Sequence, residues 1–245
     1  MKILYISRSK LGHSVNGVYI KGLRANGVKV EEMFIRGNER LDLIKYLFKN
    51  RNSFDAILVG YDSPNLVLLA KLFSTKKVVY NALCSVYERL IVSRALAKPI
   101  SLRSAYYWLS DFLAVHSADL IMVETGRQAK YFQKLFLLPQ NKIFRAWTGV
   151  EDDVFYPHGS GSEKFPIFTA VFRGQFLPES GVDTLIRAAK LLDGKGIKIL
   201  LLGGGSDTLK VTRLLEELKP DNLEFINEFL PDDKLRTLMQ KSHLS

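Results

Sequence analysis

Short apolar runs rich in Ile, Val and Leu alternate along the chain with longer segments in which apolar residues recur at helical spacing. The first run, Lys2–Ser7, is followed by a polar loop and a short helix from about Val18 to Ala25. Strands and helices that alternate in this way are typical of βαβ units around a parallel sheet. We predict the remaining strands of the first half at residues 28–35, 55–60, 77–80, 120–123 and 142–146.

The stretch from Val86 to Ala118 has a long helical pattern that breaks near Pro99. Proline inside a helix removes a backbone hydrogen bond and clashes with the preceding turn. Ser101 follows the break, and serine is a preferred residue at the start of a helix because its hydroxyl accepts a backbone N–H. We therefore predict two helices, with Ser101 capping the second.

A glycine- and serine-rich stretch from Pro157 to Ser162 predicts a flexible linker. After it the pattern restarts, with strands at 167–172, 197–202 and 223–226 and helices at 181–192, 209–218 and 232–240. Three strands are too few for a complete doubly wound domain. We predict one Rossmann-like domain over residues 1–158 and a partial second one over residues 159–245.

The formal net charge of +10 is distributed unevenly along the chain. Residues 1–158 carry 23 Lys/Arg and 13 Asp/Glu, whereas residues 159–245 carry 12 of each. A basic first domain suggests an anionic partner such as a membrane surface, a phosphorylated lipid or a nucleic acid, although many soluble proteins are simply basic. Nucleic acid is disfavoured because the basic residues are spread over many elements instead of forming one stripe with interleaved aromatics.

Cys84 is the only cysteine, which excludes an internal disulfide and a zinc site built from thiolates. The four histidines lack the spacing of metal ligands. The longest apolar runs are too short to span a bilayer. We expect a cytoplasmic protein that uses no metal cofactor and can work at the inner face of a membrane.

Three loops follow predicted strands at the carboxyl edge, where parallel sheets place their ligands. They are residues 12–17, 172–181 and 202–207. In the second loop, Arg173 can offer a fixed fork of donors to a diphosphate, Gly174 permits close approach, and a helix begins at Gly181. Each loop taken alone could equally be an ordinary turn. None has the G-x-G-x-x-G spacing of a dinucleotide fingerprint, which argues against a nicotinamide enzyme.

The second half of the chain resembles the nucleotide-binding domain of glycosyltransferase family four, a family with the GT-B fold. The resemblance is carried by FRGQFLPESGVDTLIRAAKLL at 172–192, IKILLLGGGSD at 197–207 and NLEFINEFLPDDKLRTLM at 222–239. Residues 117–157 resemble the domain junction of that family. The first hundred residues match only in outline.

The resemblance implies an α/β protein with two Rossmann-like domains, the second incomplete, that transfers a sugar from a nucleotide-sugar donor with retention of configuration. It implies that Arg173 and Gly174 hold the donor diphosphate, with Ser180 and Gly181 beside them and Gly203, Gly204 and Gly205 next to the nucleotide. The acceptor side, for a saccharide or lipid-linked acceptor, is implied at Gly12, His13, Asn16, Gly17, Ser85, Tyr87, Glu88 and Arg94. No catalytic residue is assigned.

Two departures from the family pattern affect the donor site. Ser180 stands where the family usually has a lysine, and the paired glutamates of the family would lie beyond residue 245. We therefore expect this chain not to bind donor normally by itself. The alternative is a non-catalytic fragment or subunit that binds acceptor or membrane and needs a partner to complete the donor site.

The region from Arg89 to Trp108 combines four basic residues with Leu, Ile, Tyr and Trp. That composition suits docking on an anionic membrane surface. The more conservative interpretation is that these apolar residues pack into the core.

Overall fold

The computed structural model describes residues 1–9, 11, 15–37, 39–157 and 163–245. Within these ranges the chain forms two compact units, unit 1 at Met1–Val150 and unit 2 at Glu151–Ser245. The boundary we drew at residue 158 stays a prediction, because residues 158–162 lie outside the described ranges.

Unit 1 is built on a six-stranded sheet in which all pairs are parallel, in the order β2-β1-β3-β4-β5-β6. Its strands are β1 Lys2–Ser7, β2 Lys29–Phe34, β3 Ala56–Val59, β4 Lys77–Leu83, β5 Leu120–Val123 and β6 Ile143–Arg145. Its α-helices are α1 Val15–Ala25, α2 Arg40–Lys49, α3 Pro64–Phe73, α4 Leu102–Ser117 and α5 Gly126–Phe136. A π-helix at Glu88–Ser93 and a 3₁₀ turn at Gln140–Lys142 complete it.

The central strands of unit 1 are buried on both faces, as expected where helices cover a parallel sheet. In β1, Leu4 and Ile6 belong to the larger core cluster, whereas Ile3 and Tyr5 belong to the cluster that includes Ile20 of α1. Because successive side chains of a strand point to opposite faces, one short strand supports both layers.

Two details of unit 1 differ from the sequence-based expectation. Helix α1 begins at Val15, so Asn16 and Gly17 lie in its first turn and not in the preceding loop. The stretch from Val86 to Ala118 contains a short π-helix, a non-helical link and α4.

The predicted cap of α4 is confirmed, because the Ser101 hydroxyl accepts a hydrogen bond from the Ser104 backbone N–H at 3.2 Å.

Unit 2 contains a parallel sheet in the order β7-β8-β9, formed by the three strands that the sequence predicts. Leu244 adds an isolated parallel bridge to Ala170 on β7. Phe176, Ile186 and Leu201 lie in its core. The elements are β7 Phe168–Gln175, a 3₁₀ turn at Pro178–Ser180, α6 Val182–Leu191, β8 Ile197–Gly204, α7 Thr208–Leu218, β9 Leu223–Ile226 and α8 Asp232–Lys241.

Candidate functional site

The predicted donor-side residues of unit 2 lie together at the carboxyl ends of β7 and β8. Gly174 is paired in register with Gly203, and Gln175 with Gly204. Helices α6 and α7 both begin just beyond this edge. The arrangement brings two helix N-termini and a cluster of glycines to one edge of a small sheet.

Close backbone packing explains why two of these positions are glycine. Gly203 has φ +124°, and a Cβ there would lie 2.0 Å from the carbonyl oxygen of Gly174. A Cβ on Gly205 would lie 2.6 Å from the carbonyl oxygen of Phe176 and 2.8 Å from its nitrogen. The ends of β7 and β8 and the residues just after them therefore press main chain against main chain, which accounts for Gly203 and Gly205 without a ligand.

Gly174 differs from its neighbour because a Cβ at this position would meet no atom within 4 Å. Its φ of +154° is disfavoured for residues that carry a side chain. The position therefore favours glycine, and the backbone stays open on that side. Arg173 is exposed, and its guanidinium lies 5.3 Å from the centre of the Phe155 ring. Among the described residues Arg173 forms no ion pair, so its donors are available to an anion.

Ser180 and Gly181 shape the turn that leads into α6. The Ser180 hydroxyl donates to the Leu177 carbonyl at 2.6 Å and accepts from the Leu177 N–H at 3.1 Å. Gly181 has φ +69° at the start of α6, a conformation that glycine adopts without strain. Ser180 thus stabilises the turn where the family pattern has a lysine.

Helix α7 begins after Asp207 and has no side-chain cap. Asp207 makes no capping bond and instead accepts a hydrogen bond from the Ser206 hydroxyl at 3.1 Å. The Thr208 hydroxyl accepts from the Gly205 N–H at 2.8 Å and donates to the Gly205 carbonyl at 2.9 Å. The glycine loop is therefore fixed by a side chain that the sequence analysis did not single out.

Among the residues predicted for the acceptor side, Asn16 is buried in a hydrogen-bond network at the carboxyl end of β1. Its side-chain oxygen accepts from the Tyr5 hydroxyl at 2.9 Å and from the Tyr61 N–H at 3.0 Å. Its amide nitrogen donates to the Ser7 hydroxyl at 3.1 Å. A Cβ on Gly60 would lie 2.6 Å from the Asn16 oxygen, so little space remains around it. Asn16 fastens α1 to the sheet and has the geometry of a positioning residue.

The other three predictions on this loop have separate outcomes. Gly12 and His13 lie outside the described residues. Gly17 lies in the first turn of α1.

Ser85 is also buried, and it organises the turn between β4 and the π-helix. Its hydroxyl donates to the Asp111 carboxylate at 2.7 Å and accepts from the Glu88 N–H at 3.1 Å. The same carboxylate accepts from the Tyr87 N–H at 2.8 Å. Burial raises the pKa of Asp111 to about 6, and it also raises the pKa of the half-buried Glu88. The carboxylate of Asp111 holds this turn from inside α4.

An open cleft of about 480 Å³ lies beyond the ends of β1, β3 and β4. Arg8, Asp62, Arg89 and Arg94 line it together with residues of α3 and α4. The Arg89 guanidinium donates to the Tyr61 hydroxyl at 2.7 Å and is paired with Asp62. Of the four residues predicted at 85–94, Arg94 is the one that lines this cleft.

Arg8 and Asp62 were not predicted at a site, and Arg89 was predicted only as part of a basic region. Arg8 directly follows β1 and Asp62 lies in the turn after β3, so their position beyond a strand was the available signal.

Among the described residues no group of three or more His, Cys, Asp or Glu side chains is placed to hold a metal ion. No helix in the described ranges is long and apolar enough to cross a membrane.

No protein-family model and no curated protein matches the chain. Solved structures do match. The catalytic domain of starch synthase IV from Arabidopsis thaliana, bound to ADP and acarbose, is 10% identical with a TM-score of 0.64, over 98% of this chain and 76% of that one. The apo lipopolysaccharide outer core galactosyltransferase WaaB is 12% identical with a TM-score of 0.61, over 98% and 71%.

A third match has a different activity. UDP-GlcNAc 2-epimerase from Neisseria meningitidis, bound to UDP-GlcNAc, is 12% identical with a TM-score of 0.50, over 99% of this chain and 76% of that one. At these identities the likeness concerns the fold. The chain has the parallel α/β architecture of the GT-B glycosyltransferases, as the sequence resemblance implied. Membership of family four stays a prediction.

Proposed function

We propose that the protein transfers a sugar, with retention of configuration, from a nucleotide-sugar donor to a saccharide or a lipid-linked acceptor. The observation that carries this proposal is the edge formed by Arg173, Gly174 and the start of α6 in a sheet of GT-B type. It combines an unpaired guanidinium, open backbone and a helix N-terminus, three features that bind phosphate groups.

The chemistry expected at this edge is stabilisation of the leaving diphosphate. As the bond between sugar and phosphate breaks, negative charge grows on the phosphate oxygens. A fixed guanidinium and the N–H groups at the start of a helix stabilise that charge without needing to reorganise. We assign Arg173 to the diphosphate and the backbone at Gly174 and Gly181 to its close approach.

The acceptor is proposed to bind in the cleft of unit 1. Unit 1 carries 23 Lys/Arg against 10 Asp/Glu, a formal net charge of +13, whereas unit 2 carries 12 against 15, a net charge of −3. Arg8 is exposed at the cleft, and Arg89 is held in place by Asp62 and Tyr61. This composition favours an acceptor that carries hydroxyl groups together with phosphate or carboxylate groups.

Titration calorimetry with UDP and GDP tests the donor site. The Arg173→Ala variant is expected to weaken nucleotide diphosphate binding about tenfold or more, because a hydrogen bond to a charged group is worth roughly 1.5–3 kcal/mol. Arg187→Ala is the matched control, since Arg187 is exposed on α6 away from the edge. Equal losses in both variants would refute the assignment of Arg173.

The reaction product distinguishes sugar transfer from epimerisation of the nucleotide sugar. A nucleotide-sugar epimerase shares the fold, so the donor sugar should be traced after incubation. Transfer to an acceptor, or slow hydrolysis with the sugar configuration kept, supports the proposal. Conversion of one nucleotide sugar into its epimer would refute the proposal and show that the protein is an epimerase.

The second candidate is a subunit that binds acceptor or membrane and needs a partner to complete the donor site. It is supported by the sheet of unit 2. Among the described residues, the edge of β7 away from β8 carries only the bridge between Ala170 and Leu244. If the chain shows no nucleotide binding alone but binds UDP or GDP when a partner is added, this candidate is the correct one.

A further inference from the structure

The outer face of α4 exposes an apolar stripe. Leu102, Tyr106, Leu109 and Leu113 are 93%, 58%, 48% and 39% exposed. Their spacing of four, three and four residues places them on one side of the helix. The opposite side, which includes Ala114 and Val115, is buried in the core. α4 is therefore apolar on two sides, only one of which the core explains.

The segment before α4 also carries exposed apolar residues. Val92, Leu96 and Ile100 are 61%, 49% and 98% exposed. A groove of about 500 Å³ runs beside Ile100 and Leu102. We call the seven residues at 92, 96, 100, 102, 106, 109 and 113 the apolar face. Exposed apolar residues concentrated in one segment indicate an interaction site, because single exposed residues are normal but clusters are costly in water.

The exposed charged residues beside the apolar face are basic, since Asp111, which lies within its span, is buried. Residues 89–110 contain Arg89, Arg94, Lys98 and Arg103 and no Asp or Glu. Lys98 and Arg103 are exposed directly beside Ile100 and Leu102. Long basic side chains lay their apolar stems on a hydrophobic surface while their charged ends reach lipid headgroups. An anionic bilayer complements this combination of apolar and basic groups.

We propose that the apolar face docks unit 1 on an anionic lipid bilayer, with Ile100 and Leu102 inserted most deeply. α4 lies in the plane of the interface, since a helix of 16 residues with a charged border does not span a bilayer. The proposal stands independently of sugar transfer. Docking has a consequence for sugar transfer, because Arg94 and Tyr106 also line the cleft of unit 1. A lipid-linked acceptor would enter the cleft from the membrane side.

Flotation of the full chain with vesicles tests the docking. We expect binding to vesicles that contain phosphatidylglycerol and at least tenfold weaker binding to pure phosphatidylcholine. The double variant Ile100→Glu with Leu102→Glu should lose tenfold or more of the binding. Both side chains are almost fully exposed, so thermal unfolding should be unchanged. Leu191→Glu with Leu209→Glu is the control, since these leucines of unit 2 are 81% and 74% exposed. The control should bind like the wild type.

A charge variant separates the electrostatic contribution to vesicle binding from the contribution of apolar insertion. Each basic residue near an anionic surface is worth roughly fivefold in binding. Lys98→Glu with Arg103→Glu should therefore weaken binding to phosphatidylglycerol vesicles more than twentyfold and reduce its dependence on salt.

Three results would overturn the proposal: no flotation of the wild type at low salt, equal flotation of the wild type and the Ile100/Leu102 variant, or equal losses in that variant and the unit 2 control. Concentration-dependent association abolished by the Ile100/Leu102 variant, without a change in vesicle binding, would show that the apolar face binds a second copy.

Discussion

The carboxyl edges of the two sheets are built in different ways. In unit 1 the edge is fixed by buried polar side chains, with Asn16 tying α1 to β1 and Asp111 holding the turn after β4. In unit 2 the edge is fixed by main chain against main chain, with Gly203 on Gly174 and Gly205 on Phe176. A side-chain network can be retuned by substitution and by pH, whereas a backbone edge tolerates neither added atoms nor a change of conformation.

The largest expected effect comes from a substitution that disrupts the backbone packing at the carboxyl edge of unit 2. Gly203→Ala places a Cβ 2.0 Å from the Gly174 carbonyl oxygen in a conformation disfavoured for alanine. We expect a loss of about 3–5 kcal/mol in the free energy of unfolding of unit 2. Denaturant titration of the chain measures it.

Gly194→Ala is the matched control for this substitution. Gly194 also has positive φ, at +71°, but its Cβ would meet nothing within 4 Å. Backbone strain alone should cost about 1–2 kcal/mol. If the two variants lose equal stability, close packing does not explain the glycine at 203.

A smaller effect should appear in unit 1 as a dependence on pH. Burial raises the pKa of Asp111 to about 6, so the folded state favours the protonated carboxyl. This contribution is fully present below about pH 4 and is lost as the pH rises through about 6, a change of roughly 2–3 kcal/mol. Relative to Asp111→Asn, the wild type should therefore lose stability between pH 4 and pH 7. Parallel stability curves would contradict this.

Asp119→Asn is the control of opposite sign. Burial alone would raise the pKa of Asp119, but hydrogen bonds from Lys71, from the backbone of Val78 and from Lys77 lower it to about 2. Its contribution is present above the ordinary pKa of an aspartate and is lost as the pH falls towards 2. As the pH rises, the wild type should therefore gain stability relative to Asp119→Asn between about pH 2 and 4, and lose stability relative to Asp111→Asn between about pH 4 and 7.

The architecture of both sheets could be predicted from the sequence because buried parallel strands are short, continuous apolar runs. The 57–59 run and the 199–202 run are both of this kind. The position of the edges followed from the same pattern, since each candidate loop comes directly after a strand. Arg173 was expected in the loop after a strand ending at residue 172, but it lies inside β7, which continues to Gln175.

The roles within the edges could not be predicted, because they depend on contacts far apart in sequence. Asn16 accepts from Tyr61, 45 residues away, and Asp111 accepts from Ser85, 26 residues away. Composition also cannot distinguish a core face from an exposed face. For the apolar residues between Arg89 and Trp108 the sequence left both core packing and membrane docking open. Trp108 packs against the core, with its ring centre 5.0 Å from that of Phe112, whereas Ile100 is exposed.

The central claim is that the carboxyl edge of unit 2 binds a nucleotide diphosphate, and does so weakly in this chain because Ser180 stands in place of one expected diphosphate contact. Hydrogen–deuterium exchange of the chain with and without UDP or GDP tests it most directly. We predict slower exchange in peptides covering residues 173–181 and 203–208. We predict no change at residues 194–198 and 221–224, which lie at the opposite end of the same sheet. Unchanged exchange at 173–181, or protection confined to the cleft of unit 1, would contradict the claim.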